Sequence, residues 1–295
     1  MGGATWNSAD YTTRSATYQN QSREEVFRQR RMREDFDPLN ITVRESCDSE
    51  QNPNSTPVIV GLDVTGSMGF IAEHIAKESL GKLVEGIIDT KPITDPHIMM
   101  MAIGDIQYDS APLQATQFEA DIRIADQLTD LWLEGGGGGN QYESYDLPWL
   151  FAAEKTKIDS FDKRGIKGYL FTIGDELPPR TATSDRLKSR VGLNFQQDLA
   201  PNEALELAQE KYNVFHIIVE QGSFCRRRLH DVRAQWSELL GKRAIFLNDY
   251  KYISEVIQSV MQVSEGESPQ DVIEQWQDSK CRDAVEYSLF GPNQQ

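Results

Sequence analysis

Residues 58–68 read VIVGLDVTGSM, an apolar run that ends at Asp63 and is followed by two hydroxyl residues, Thr65 and Ser67. A short continuous apolar run is typical of a strand that is buried on both faces, as in a parallel sheet. A glycine between the two hydroxyl residues suits a tight turn, and residues 70–88 then repeat apolar residues at helical spacing. The stretch predicts a buried strand, a turn that carries three side-chain oxygen groups, and a helix.

The sequence after this stretch continues to alternate between strand-like and helix-like segments. Apolar runs of strand type occur at 98–103, 112–118, 168–173, 214–219 and 244–247. Helical patterns occur at 119–133, 150–153, 201–212, 226–240 and 253–261. This alternation predicts an α/β fold with a doubly wound, mostly parallel sheet and helices on both faces. Ligands of such sheets bind beyond the carboxyl ends of the strands, so we expect the site there.

A turn-rich segment, QNPNSTP at 51–57, precedes the alternating region and predicts a linker. We place a domain boundary there. The predicted organisation is an N-terminal arm over 1–55, an α/β domain over 56–265, and a C-terminal helix and tail over 266–295.

The arm is expected to be partly flexible, because residues 1–21 are polar and rich in Ser, Thr, Asn and Gln. Ser22 and Glu25 have the spacing of a capping box, which predicts a short helix after the polar stretch. An arm of this kind can dock on the sheet edge or exchange between copies, so a homo-oligomer formed through it is one prediction.

Composition narrows the class of protein. The chain has 295 residues, a net charge of −16 and 39% hydrophobic residues, which is close to the globular norm. No window resembles a membrane span or a secretory signal. Three widely spaced cysteines argue against a disulfide framework or a zinc site and favour a cytoplasmic location, in a bacterium or a phage-infected cell. The acidity disfavours nucleic-acid binding.

The turn at the end of the first strand can bind a cation. A carboxylate at Asp63 and hydroxyl groups at Thr65 and Ser67 lie within five residues. Oxygen ligands suit Mg²⁺, with Mn²⁺ or Ca²⁺ as alternatives, and the absence of His and Cys from the set argues against zinc. The simpler interpretation is a strand-to-helix turn in which a hydroxyl group caps the helix.

The segment D-x-T-G-S-M resembles the metal-ion-dependent adhesion site of von Willebrand factor A (vWA) domains, whose signature is D-x-S/T-x-S. We identify the chain as similar to intracellular bacterial or phage-type members of that family. The resemblance spans about residues 56–265 and implies a doubly wound sheet with the metal at its upper edge. It implies that Asp63, Thr65 and Ser67 form the first loop of the site. It also implies that Asp175, which follows the strand GYLFTI, supplies the third-loop carboxylate.

The second loop departs from the family pattern. The family supplies a Thr there after a glycine pair, whereas Gly135–Gly139 are followed here by NQYES at 140–144. Asn140 is the expected ligand through its amide oxygen, with Glu143 or Ser144 as alternatives.

The resemblance implies a metal-dependent protein-interaction module, in which Mg²⁺ binds an Asp or Glu of a protein partner. A structural or scaffold component of a phage particle or cytoplasmic assembly, with a vestigial or stabilising metal site, is the alternative. A metal-dependent hydrolase is a weaker one. No nucleophile–base pair is recognisable, so we expect no enzyme activity.

Overall fold

A computed structural model of the chain describes residues 5–66, 68–135 and 141–291. Its centre is a six-stranded sheet in the order β4-β3-β2-β6-β7-β8, in which neighbouring strands are parallel except β4, which is antiparallel to β3. A separate parallel pair joins β1 to β5. The strands are β1 (Arg44–Ser46), β2 (Thr56–Asp63), β3 (Pro96–Ile103), β4 (Leu113–Ala115), β5 (Thr156–Ile158), β6 (Gly168–Gly174), β7 (Tyr212–Val219) and β8 (Ala244–Leu247).

Helices cover both faces of the sheet, so the predicted fold class is confirmed. Successive side chains of a strand point to opposite faces, and those of β2 enter two different cores: Val58 and Val60 one, Ile59 the other. The helices are α1 (Ser8–Gln19), α2 (Arg23–Val26), α3 (Gly69–His74), α4 (Leu80–Thr90), α5 (Arg123–Thr129), α6 (Asp146–Lys155), α7 (Asp159–Arg164), α8 (Ser184–Arg186), α9 (Pro201–Lys211), α10 (Ser223–Leu240), α11 (Ile253–Ser264), α12 (Pro269–Glu274) and α13 (Ser279–Phe290). None of the described helices is long and apolar enough to cross a bilayer.

The strand order reverses between β2 and β6. From β2 the chain proceeds to β3 and β4 on one side of the sheet, and later to β6, β7 and β8 on the other. Helices that follow the two strands therefore lie on opposite faces and leave a crevice at the carboxyl ends, where open α/β sheets bind ligands. Asp63 ends β2 and Gly174 ends β6, so the first and third predicted loops meet at this crevice.

Several elements differ in extent from the prediction. The edge strand is shorter than 112–118, and the helix predicted over 119–133 is confined to Arg123–Thr129. The last thirty residues hold two helices rather than one. The first of them, α12, begins with a proline. The second, α13, begins after Asp278, which accepts a 2.7 Å hydrogen bond from the backbone N–H of Cys281.

Residues 5–21 also differ from the flexible arm expected over residues 1–21, of which residues 1–4 lie outside the described residues. Residues 8–19 form α1, and Tyr11, Ser15 and Tyr18, spaced four and three residues apart, are its buried positions. The sequence does not show this spacing as a helical apolar pattern, because its middle residue, Ser15, is polar. Ser15 donates its hydroxyl hydrogen to the carbonyl of Lys77, within a π-helical turn between α3 and α4. The boundary predicted at residue 55 stays a prediction.

Candidate functional site

Asp63 lies at the carboxyl end of the central strand β2 and is almost fully buried. Its Oδ1 accepts a hydrogen bond of 2.9 Å from the backbone N–H of Thr65 and one of 2.5 Å from the Thr65 hydroxyl group. This arrangement is an Asx turn, in which the aspartate side chain fixes the backbone two residues later. The strand-to-helix turn therefore brings two of the predicted ligands together. Ser67, the third first-loop residue, lies outside the described residues.

Asp175 follows β6 and lies beside the same crevice. Its Oδ2 accepts a hydrogen bond of 2.9 Å from the backbone N–H of Phe224, in the first turn of α10. Leu62 and Ile173 are paired in the parallel register of β2 and β6, so Asp63 and Asp175 emerge from adjacent strand ends. Burial raises the pKa of Asp63 to about 7, and the Asp175 charge contributes to the shift. Asp63 and Asp175 are therefore close enough for the charge of Asp175 to affect the ionisation of Asp63.

Tyr145 joins the loops, and sequence reasoning missed it. Its hydroxyl group donates to Oδ2 of Asp63 at 2.8 Å and accepts from the backbone N–H of Glu176 at 3.3 Å. Gly174 makes room for it, since a Cβ there would lie 2.1 Å from the tyrosine oxygen. The sequence contains no motif for this contact, because the two partners are 82 residues apart.

The second loop presents Glu143, which is only 2% exposed. Both of its carboxylate oxygens lack a hydrogen-bond partner among the described residues. Ser144, the other second-loop alternative, accepts a 3.0 Å hydrogen bond from the backbone N–H of Ile106 through its Oγ. Asn140 lies outside the described residues. Of the second-loop alternatives that can be compared, Glu143 is the one with oxygens that no described donor satisfies.

Several buried carboxyl groups repel one another around the crevice. Burial, followed by the charges of Asp63 and Glu176, raises the pKa of Glu143 far above its ordinary value. Burial, followed by Asp63 and Asp175, raises the pKa of Glu176 to about 8. Asp105, two residues after β3, adds to the repulsion on both glutamates. A buried cluster of this kind is stabilised either by protons or by a bound cation.

The carboxylate and hydroxyl oxygens at the crevice are of the type that binds a hard cation, but the carboxylate groups of the described residues are not arranged around one point. Among the described residues, no three His, Cys, Asp or Glu side chains form a group that could hold a metal ion. The predicted set depends, besides its carboxylates, on two hydroxyl oxygens, at Thr65 and Ser67. The unsatisfied oxygens of Glu143 are the feature that calls for a proton or a cation.

No protein-family model matches the sequence, and no curated protein matches it. Among solved structures, the chain is similar to the pilus adhesin SpaC from Lactobacillus rhamnosus GG in an open conformation, with 9% identity over 77% of this chain and 31% of that chain and a TM-score of 0.45. Another form of the same adhesin is 9% identical over 77% of this chain and 32% of that chain, with a TM-score of 0.46. A von Willebrand factor type A protein from Catenulispora acidiphila gives 13% identity, 73% and 44% coverage and a TM-score of 0.39. The chain spans less than half the length of each, and similarity at this level does not bear on function.

Proposed function

We propose that the chain is a metal-dependent protein-interaction module. In this proposal Mg²⁺ binds at the carboxyl ends of β2 and β6, and an Asp or Glu of a protein partner completes its coordination. The observation that carries the proposal is the burial of Asp63, Glu143 and Asp175 near the point where the strand order reverses, with Asp175 acting on the pKa of Asp63 and Asp63 on the pKa of Glu143. A divalent cation there would offset the repulsion that otherwise forces protons onto these groups.

The first loop would hold the ion through Thr65 and Ser67, with Asp63 and Asp175 as the carboxylates of adjacent strand ends. Glu143 is the described second-loop candidate, and Asn140 remains the amide alternative. The bound ion would supply a positive charge with a coordination position for a carboxylate. Mn²⁺ and Ca²⁺ use the same oxygen chemistry and are the alternatives to Mg²⁺.

A ligand at Glu143 would change the behaviour of the site. A third carboxylate near the ion strengthens its retention, but it also weakens the pull of the ion on an incoming carboxylate, because the total charge becomes more negative. We therefore expect tight ion binding and a partner that is attracted by further positive groups outside the metal shell.

Metal binding is tested by thermal unfolding in Mg²⁺ and in EDTA. A ligand that binds only the folded state stabilises it by about 2.7 kcal/mol at a hundredfold excess over Kd. Wild type and Asp89→Ala, which changes an exposed carboxylate on α4, should show this stabilisation, whereas Asp63→Ala should fold but not respond. An equal response of wild type and Asp63→Ala to Mg²⁺ would contradict the proposed metal site.

Partner binding has a separate test. Once a protein partner is found, its affinity for wild type should fall sharply in EDTA. A scaffold function predicts the reverse pattern, in which substitutions of exposed residues of the N-terminal segment abolish assembly and Asp63→Ala leaves it intact.

A further inference from the structure

A cleft of about 310 Å³ opens directly over the first loop of the site. One wall consists of the loop and the start of α3: Val64, Thr65, Gly66 and Gly69. The opposite wall comes from the N-terminal segment, with Arg23, Glu24, Phe27 and Arg30. The N-terminal segment therefore supplies part of the surface that a ligand of the first loop would contact.

The segment that carries the two arginines is anchored. The capping box predicted at its start is present: the backbone N–H of Ser22 donates to Oε2 of Glu25 at 2.7 Å, and the backbone N–H of Glu25 donates to the Ser22 hydroxyl oxygen at 3.3 Å. Val26 and Phe27 are buried in the main core at 4% and 3% exposure. These contacts hold Arg23 and Arg30 beside the loop.

Arg23 lies against the backbone where α3 begins. Its Nη1 is 2.7 Å from the point that a Cβ on Gly69 would occupy, so the missing side chain of this glycine admits the guanidinium group. Its ion pair with Glu24 is 3.5 Å long and exposed on both sides, and such pairs contribute little.

The Arg30 guanidinium group has N–H groups that make no hydrogen bond to the described residues. Among the described residues, its hydrogen bonds go to the backbone carbonyls of Phe27 and Gln29, both at 3.3 Å. Two arginines against one glutamate leave this wall with a net charge of +1. The positive wall is notable in a chain with a net charge of −16, since it faces a loop backed by buried carboxylates.

We propose that this cleft binds an acidic peptide segment of a protein partner, with one carboxylate directed at the first loop and a neighbouring carboxylate paired with Arg30 and Arg23. The first contact rests on the proposed metal-dependent function, whereas the second does not need the ion. A guanidinium group binds a carboxylate through two parallel hydrogen bonds, which gives the pairing both strength and direction. The arginines thus attract the carboxylates of the peptide, which the buried carboxylates of the site would repel.

The probe is N-acetyl-Asp-Asp-amide, with N-acetyl-Asn-Asn-amide as the uncharged comparison. The site of binding is followed in wild type by NMR through the Nε–Hε signals of the arginines, and the affinity of every protein is measured by isothermal titration calorimetry, in Mg²⁺ and in EDTA. The double variant R23Q/R30Q is compared with R28Q/R31Q, which removes the same charge from exposed residues of the same segment that do not line the cleft.

We expect the Asp-Asp probe, and not the Asn-Asn probe, to shift the Arg23 and Arg30 signals. R23Q/R30Q should bind the Asp-Asp probe about tenfold more weakly than R28Q/R31Q, the effect of losing one charge-assisted contact. The difference between the two variants should persist in EDTA, where all affinities are lower. Equal weakening in the two variants would overturn the cleft proposal. Wild-type affinity that is the same in Mg²⁺ and EDTA would instead overturn the metal-dependent function and leave the arginine contact standing.

Discussion

The hydroxyl group of Tyr145 donates a hydrogen bond of 2.8 Å to Oδ2 of Asp63. The same hydroxyl oxygen accepts the backbone N–H of Glu176 at 3.3 Å, so one side chain connects the ends of β2 and β6. Tyr145 is fully buried, and its ring packs edge-on against His216 and Trp236. The orientation of the Asp63 carboxylate is therefore set by the packed interior and not by the loop alone.

Tyr145→Phe should weaken Mg²⁺ binding and lower the free energy of unfolding by about 1–3 kcal/mol, because a buried carboxylate oxygen and a backbone N–H both lose their partner. Burial is the main cause that raises the pKa of Asp63, and the tyrosine hydrogen bond acts against it. Loss of the hydrogen bond should therefore raise the pKa of Asp63 further. The Mg²⁺ affinity of the variant, divided by that of wild type, should be larger at pH 8.5 than at pH 7, as measured by calorimetry. Tyr108→Phe, at a tyrosine that is 60% exposed, is the control and should match wild type.

The sequence predicted the sheet well because buried parallel strands have a strong local signal. The run at 58–62 is apolar throughout since both faces of β2 are covered. Asp63 and Asp175 were found because each directly follows such a run. The joining residue, Tyr145, and the glycines that admit side chains of the site depend on contacts between distant segments, and no local pattern encodes them. The N-terminal helix was missed for a related reason: its buried stripe includes a serine whose partner is a backbone carbonyl in another element.

Gly222 is expected to be essential for the position of Asp175. A Cβ on Gly222, the residue before α10, would lie 2.2 Å from both Cβ and Oδ2 of Asp175. Gly222→Ala should cost about 1–3 kcal/mol of stability and should also reduce Mg²⁺ affinity. Gly86→Ala is a matched control, since its Cβ would meet the Gln258 side chain at 1.9 Å on a different face of the fold. Urea unfolding should show a loss in both variants, and the Mg²⁺ titration should change only for Gly222→Ala. Normal Mg²⁺ binding by Gly222→Ala would contradict the expectation that this glycine positions Asp175 for the ion.

The stability of the metal-free protein should decrease as the pH rises through neutrality. Burial raises the pKa of Asp63 from 3.8 to about 7, so between these values the folded state binds more protons than the unfolded chain. The stabilising contribution is complete below pH 4, falls by about 1.4 kcal/mol per pH unit for one group as the pH rises towards 7, and is absent above that value. Buried histidines such as His74, whose pKa is lowered by burial, act in the opposite direction over part of this range.

Comparison with Asp63→Asn removes the histidine contribution, because both proteins contain the same histidines. Relative to the variant, wild type in EDTA should lose stability from pH 5.5 to pH 8.5, and saturating Mg²⁺ should abolish that loss, since the ion binds the deprotonated carboxylates. Urea unfolding at several pH values measures the difference. A pH-independent difference between wild type and Asp63→Asn would show that the carboxyl group is not protonated in the folded protein.

The docking of α1 on the sheet domain should depend on Tyr11. Its ring lies against Gly81, where a Cβ would be 2.2 Å from the nearest ring atom, and its hydroxyl group donates to the carbonyl of Ala76 at 3.5 Å. An isolated helix of 12 residues is marginal in water, so α1 persists because this face is buried. Tyr11→Ala should lower the free energy of unfolding by about 3–5 kcal/mol and should speed trypsin cleavage at Arg14, an exposed residue of α1. Thr12→Ala, on the exposed face, should do neither. Unchanged cleavage at Arg14 in Tyr11→Ala would mean that the helix is held by other contacts, such as the ion pair between Arg14 and Asp126.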